Sequence, residues 1–231
     1  MAFFDIFKRA AKRIARPFRI FKISAMELDN IQCIAVTAMF IALDLAIKSL
    51  SITVIPNLKI SFAFLAKASV GMIYGPTVGF IEGFLSDIIG YLIKPTGAFS
   101  PLFTLVEALS PMIFGLFLYN LKLSRKEIRD KSLQKQNFKA FVKIVLAKLT
   151  VVVICNLILT PIALIISNSM EAGQFVYGSV LTDYPKRLIK NAIQYPVDCV
   201  MLIAVLPIVS TAYSAVFKRN KKLSERKENL E

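Results

Sequence analysis

Charged and amide side chains interrupt the most apolar stretches of this 231-residue sequence. Glu107 lies in FTLVEALS, Lys67 lies in FLAKASVG, and Asn156 lies in VVVICNLILT. A carboxylate inside an apolar segment is costly unless it is paired or solvated, so Glu107 is a candidate site residue. Two roles are open to it: accepting hydrogen bonds from an amino-substituted heterocycle, or pairing with Lys67. Asn156 either presents a donor and an acceptor to a ligand or forms a hydrogen bond between helices.

Basic and aromatic residues near the predicted outer loops form a second set of candidates. Lys59, Lys94 and Arg187 occur where positive charge is disfavoured by the positive-inside rule. One explanation is an anionic ligand, with Arg187 making a bidentate contact to a carboxylate. The other is snorkelling toward lipid phosphates, which is the commoner fate of a single lysine. Phe99 and Phe103 flank the corner KPTGAFSP and are available to stack on an aromatic ligand, although packing is the commoner role.

The residue types needed for catalysis are not grouped in this sequence. It contains no histidine, and it lacks a phosphate-binding glycine loop, H-E-x-x-H and G-x-S-x-G. Glu82 and Asp87 are five positions apart on one predicted helix, so they share a face poorly. The three cysteines lie in apolar segments without metal-site spacing, which indicates buried thiols. The sequence therefore predicts a binding protein that is not an enzyme, with no metal and no cofactor.

The composition indicates a membrane protein with an oriented charge distribution. Hydrophobic residues make up 56% of the chain, and its formal net charge is +14. The basic residues concentrate in blocks at 8–22, 122–148 and 218–227, which flank apolar segments. This arrangement fits the positive-inside rule, and it argues against binding to nucleic acid.

The apolar segments predict an all-α membrane protein with six transmembrane helices. An even number of crossings separates successive basic blocks, so both termini are predicted to be cytoplasmic. The loops 51–59, 94–101 and 168–185 are then external. Gly75, Gly79 and Gly83 recur every four residues and predict a face for close helix packing. The predicted spans are about 29–50, a short 60–74, 76–93, 102–121, 143–167 with a kink before Pro161, and 186–213.

Three regions follow from this organisation. Residues 1–27 contain a basic amphipathic helix, at about 2–24, predicted to lie on the lipid of the cytoplasmic leaflet. Residues 28–217 form the six-helix transmembrane domain that binds the ligand. Residues 218–231 form a charged cytoplasmic tail.

The central block of the chain resembles a known family. The motifs are ISF at 60–62, GM-x-x-GP at 71–76, D-x-x-G at 87–90, PTGA at 95–98, FTL at 103–105 and KRLIKNAIQYP at 186–196. Over about 30–215 the chain resembles the substrate-binding S component of energy-coupling factor (ECF) transporters, in the folate-transporter subfamily. The resemblance implies a multi-pass protein of the bacterial plasma membrane that captures a vitamin from outside. It also implies partners, namely a transmembrane coupling protein, contacted by Ala38 and Ala42, and two cytoplasmic ATPase subunits.

Departures from the family pattern lie near the implied ligand site. Ala66 and Lys67 stand where the family usually has proline and an aliphatic residue, and Glu107 stands where a small residue is common. Folate is the favoured ligand, because Glu107 suits a pterin and Arg187 suits the glutamate carboxylates. Pantothenate, which has a carboxylate but no aromatic ring, is the alternative. A structural membrane protein without a ligand and a membrane-embedded enzyme are further readings, the second disfavoured by the missing catalytic motifs.

Overall fold

The fold was analysed in a computed structural model that describes residues 18–50, 52–55, 58–95, 99–119, 121, 131–172 and 177–216. A helix over 18–26, which we call α1, is followed by a single 3-10 turn at Glu27–Asp29. The other elements are α2 (Ile31–Ser49), β1 (Ile52–Ile55), β2 (Leu58–Ile60), α3 (Phe64–Tyr74), α4 (Pro76–Ile93), α5 (Pro101–Leu118), α6 (Lys131–Val151), a π-helical segment (Val152–Leu159), α7 (Thr160–Ala172) and α8 (Gly178–Val216).

Five helical stretches in this part of the chain are long and apolar enough to cross a membrane. They are Ile31–Ser49, Pro76–Ile93, Pro101–Leu118, Phe138–Met170 and Val180–Ala215. The shorter α3 is also apolar and packs between α2, α4, α5 and α8. These six segments confirm the all-α membrane fold, including the short second segment.

One end of the bundle, which we call the Ser24 end, gathers residues distant in sequence. The Ser24 hydroxyl donates to the Tyr74 carbonyl at 2.7 Å and accepts from the Thr77 backbone N–H at 3.0 Å. It thereby caps the start of α4, whose first N–H groups have no partner within the helix. The Tyr74 and Tyr213 rings meet edge to face at 5.6 Å. The described parts of α1 and of the end of α8 therefore lie at the same end, and we call the opposite end the Lys94 end.

Glycines bring α3 and α4 into close contact with α5. A methyl group at Gly79 would lie 2.7 Å from the Pro111 carbonyl oxygen, and one at Gly83 would lie 2.5 Å from the Glu107 carbonyl oxygen. Small faces of this kind drive helix association in lipid. Gly75 differs from the predicted stripe, because it forms the corner between α3 and α4 at a φ of 89°. Such a left-handed conformation favours glycine.

The first loop at the Lys94 end is a short antiparallel hairpin. Ile52 pairs with Ile60, and Thr53 pairs with Lys59. From the sequence, residues 51–59 were predicted to be an external loop without strands. The β-branched residues on both sides of Pro56 explain the extended backbone.

A π-helical segment, Val152–Leu159, lies directly before Pro161, where the sequence predicts a kink. Pro161 has no N–H to donate to the Leu157 carbonyl. That carbonyl accepts a hydrogen bond from the Tyr184 hydroxyl of α8 at 3.3 Å, and the Thr160 hydroxyl donates to the Cys155 carbonyl at 2.7 Å. The Leu157 carbonyl, which Pro161 leaves without a backbone partner, is thus bonded to a side chain, as membrane depth requires.

Two predicted loops are shorter than the sequence suggested. Residues 122–148 were expected to form a cytoplasmic loop, but α6 begins at Lys131. Lysine and glutamine favour helix, so the charge of this segment does not end the helix. Residues 168–185 were expected to be a polar loop, yet α7 continues to Ala172 and α8 begins at Gly178. Most of the amphipathic helix predicted at 2–24 lies in residues 1–17, which are outside the described residues. The predicted tail, 218–231, is outside them as well.

Candidate functional site

Glu107 lies at the centre of a charged cluster between α2, α3 and α5. Its Oε2 atom pairs with the ammonium group of Lys67 and lies 3.6 Å from that of Lys48. The Lys67 side chain is only 7% exposed, whereas that of Glu107 is 36% exposed. The structure thus confirms the pairing of Glu107 with Lys67.

Lys48 connects this pair to a second acid. Its ammonium group lies 2.9 Å from Asp44 Oδ2, one turn earlier on α2, and 3.3 Å from the Ser86 hydroxyl on α4. The Ser86 hydroxyl in turn donates to Asp44. The Asp44–Lys48 pair is explained by the i, i+4 spacing of these residues on α2, whereas the link to Glu107 depends on how the helices are rotated.

Asn156 and Arg187 are joined through a residue that the sequence analysis did not single out. The Asn156 side-chain amide donates to the Asn191 side-chain oxygen at 3.0 Å. The Asn191 amide donates to the Arg187 backbone carbonyl at 2.9 Å. The interhelical role of Asn156 is therefore present, and it fixes the π-helical segment against the half-buried Arg187 turn of α8. Asn191 has no special spacing in the sequence that would have revealed it.

The corner between α4 and α5 contributes aromatic surface at the Lys94 end. Phe99 is 47% exposed, and its ring packs edge to face on Tyr91 at 5.2 Å. Phe103 is half-buried, one turn before Glu107, and Lys94 is exposed after the end of α4. The backbone of Lys59 lies in β2, and its side chain is outside what the structure describes.

A second ion pair connects α6 and α8 nearer the middle of the bundle. Lys148 lies 2.8 Å from Asp198, and both side chains are nearly buried. The Lys148 ammonium group also lies 4.2 Å from the centre of the Phe64 ring on α3. A cation held over an aromatic face in this way is stabilised by the ring's quadrupole. The sequence analysis did not single out either Lys148 or Asp198.

The arrangement provides binding groups rather than a reaction centre. A partly exposed glutamate side chain, a paired amide and a basic turn of α8 are suited to hydrogen bonding and to charge recognition. The three cysteines are buried free thiols, as predicted. Among the described residues, no group of three histidine, cysteine or acidic residues is placed to hold a metal ion.

The chain is similar in sequence to two folate transporters and in structure to a solved protein of the same name. The chain is 30% identical over 154 residues to the folate transporter FolT of Clostridium novyi, covering 67% of this chain and 76% of the relative. It is 31% identical over 178 residues to the folate transporter FolT of Streptococcus mutans, covering 76% and 86%. The crystal structure of FolT bound with folic acid matches with a TM-score of 0.60 and 28% identity, over 77% of this chain and 95% of that one.

A family model covers most of the transmembrane region. The model of the ECF-type riboflavin transporter, S component, matches residues 29–205. This match begins at the start of α2 and ends within α8, so it includes every helix of the candidate site. The resemblance found in the sequence motifs is confirmed, and the chain belongs to the family of ECF-type riboflavin transporter S components.

Proposed function

We propose that this protein is the substrate-binding subunit for folate uptake across the plasma membrane. The observation that carries the proposal is the match to FolT bound with folic acid, which extends over 95% of that chain. The two curated relatives carry the same name, folate transporter, at 30% and 31% identity. Folate capture also agrees with the mixture of carboxylate, amide and basic groups near the Lys94 end.

In this proposal the pterin ring binds near Glu107 and the glutamate tail binds near Arg187. The Glu107 carboxylate accepts hydrogen bonds from the amino group and ring N–H of the pterin. Phe99 and Phe103 offer aromatic surface to the ring, and Asn156 keeps the π-helical segment in place beside it. The guanidinium of Arg187 pairs with a glutamate carboxylate, because its planar donors match that group.

Lysines of the Lys94 end add to the recognition of an anion. Lys94 is exposed beside the aromatic corner, and Lys59 belongs to the hairpin at the same end. Long-range attraction by such charges raises the rate at which an anionic ligand arrives. The outward orientation of this end, with both termini in the cytoplasm, follows from the basic blocks of the sequence.

The partners belong to the same proposal. A transmembrane coupling protein binds the exposed face of α2, and two cytoplasmic ATPase subunits supply the energy. Ala38 and Ala42 are exposed one turn apart on that face. Small residues let another helix approach closely in lipid, which supports this face as the contact.

Riboflavin is a second candidate ligand, because the matching family model is described by that vitamin. Riboflavin carries no carboxylate, so the basic turn at Arg187 favours folate over it. Pantothenate, which has a carboxylate but no aromatic ring, remains the other alternative.

Calorimetric titration of the purified protein with these three vitamins tests the proposal. We expect folic acid to bind with a Kd below about 1 µM and the other two vitamins to bind at least about 100-fold more weakly. Tightest binding of riboflavin or pantothenate would overturn the assignment to folate. Failure of all three to bind would contradict vitamin capture at this site.

A further inference from the structure

Glu82 lies in the middle of α4 with no part of its side chain exposed. Among the residues that the structure describes, no hydrogen-bond donor reaches either of its carboxyl oxygens. Its neighbours one turn away on the same face, Val78 and Ser86, are also buried. An ionised carboxylate in such a place is strongly disfavoured, because nothing replaces the water it has lost.

The charges around Glu82 are already balanced without it. Charged side chains act on it from each of the three helices packed closely against α4: Asp44 and Lys48 from α2, Lys67 from α3 and Glu107 from α5. Lys67 pairs with Glu107, and Lys48 pairs with Asp44. An ionised Glu82 would therefore add a negative charge that has no cation of its own.

Asp44 gives an independent sign that a hydrogen atom is needed here. Its Oδ2 atom accepts from Ser86 and pairs with Lys48, whereas its buried Oδ1 atom has no donor in the described part of the chain. Neighbouring acids on α2 and α4 thus present acceptor atoms without donors. A proton on one of these acids would remove the extra negative charge that an ionised Glu82 adds. It would also supply an O–H donor.

We propose that Glu82 is a resident proton-binding site, which holds one proton in the folded protein at neutral pH. The proton comes from water and converts the carboxylate to a neutral carboxylic acid. As a result, Lys67 stays paired with Glu107. The proposal does not depend on which vitamin is bound.

Infrared difference spectroscopy on the purified full-length protein tests this directly. We expect a carboxylic-acid C=O band at neutral pH that shifts in heavy water and is lost in Glu82→Gln. Asp87→Asn is the matched control on the same helix, because Asp87 accepts a hydrogen bond from the Thr104 hydroxyl at 2.7 Å. That variant should keep the band. An unchanged band in Glu82→Gln, or no acid band in the wild type, would overturn the proposal.

The pH dependence of thermal unfolding provides a second readout. The unfolded chain ionises Glu82 near neutral pH and the folded protein does not, so raising the pH should lower the wild-type Tm. Glu82→Gln removes this part of the pH dependence, and Asp87→Asn retains it. The alternative is a metal cation that balances an ionised Glu82. In that case the wild-type Tm would rise with sodium chloride but not with choline chloride, and the carboxylic-acid C=O band would be missing. That result would also overturn the proposal.

Discussion

At the scale of single residues, the site depends on how charges are shared between helices. Glu107 is held by Lys67 and approached by Lys48, so its carboxylate is oriented before any ligand arrives. Arg187 is positioned differently, through the hydrogen bond that its backbone carbonyl accepts from Asn191.

Replacing Arg187 with alanine should weaken folate binding. A hydrogen-bonded contact to a charged group contributes about 1.5–3 kcal/mol, so the Kd for folic acid should rise by about 10- to 150-fold. A pterin without the glutamate tail should bind wild type and variant equally in calorimetry. Lys186→Ala is the control, since Lys186 is exposed and paired with Asp183 at 2.8 Å. Equal losses for folic acid and the tailless pterin would contradict a contact with the tail.

Removing the positive charge of Lys67 should destabilise the fold. Lys67→Met leaves the Glu107 carboxylate without its nearest partner, at a cost of about 1–3 kcal/mol in the free energy of unfolding. The double variant Lys67→Met/Glu107→Leu should recover most of that loss, because no unpaired charge remains. Chemical unfolding in detergent micelles measures both. If the single and double variants were equally unstable, the ion pair would not be the cause.

At the scale of elements, α4 and α5 form the closest helix pair around the site. Pro111 lacks the N–H that would bond the Glu107 carbonyl within α5. Gly83 of α4 packs directly against that carbonyl. The backbone that carries Glu107 is therefore fixed by a glycine on the neighbouring helix.

Gly83→Ala should disturb this contact. The added methyl group would lie 2.5 Å from the Glu107 carbonyl oxygen, which cannot move without shifting α5. Overpacking of this kind costs about 1–3 kcal/mol, and folate binding should weaken with it. Gly90→Ala is the matched control, because its methyl group would meet the flexible end of Leu45 at 3.2 Å. A similar Tm for the two variants would argue against the role of Gly83.

Hydropathy and charge were enough to predict the helical segments and their order. They failed where helix continues into polar sequence, as in the first turns of α6 after Lys131. Charged residues indicate where a segment leaves the lipid. The helix itself ends where helix propensity and packing no longer favour it. The hairpin at 52–60 was missed because a short strand pair gives little periodic signal.

At the scale of the whole molecule, the proposed ligand site and the proposed partner-binding face lie on different sides of α2. The charged cluster faces inward between α2, α3, α4 and α5. The alanines at 38 and 42 face outward from α2. A change on the outer face should therefore affect transport without affecting binding.

Ala42→Trp tests this separation. The bulky side chain should block a coupling protein from α2, so folate uptake in cells that supply all partners should fall by at least about 10-fold. The Kd for folic acid should stay within about 2-fold, because the substitution leaves the charged cluster intact. Val200→Trp on the exposed face of α8 is the control and should transport normally. Loss of binding in Ala42→Trp would contradict the separation.

The candidate site was only partly predictable from the sequence. Glu107 and Lys67 were recognisable because charges in apolar runs need partners, and their pairing is confirmed. The links from Lys48 to Glu107 and from Asn156 to Asn191 depend on helix rotation and crossing, which composition does not encode. In the sequence Glu82 was considered only together with Asp87, and the packed structure shows that Glu82 is buried among charges that are already balanced.

The most direct test of the central claim is an experimental structure of this protein with folic acid bound. The account predicts ligand density at the Lys94 end, with the pterin within hydrogen-bond distance of the Glu107 carboxylate and a glutamate carboxylate against Arg187. Density at another place on the protein, or none at saturating folic acid, would contradict it.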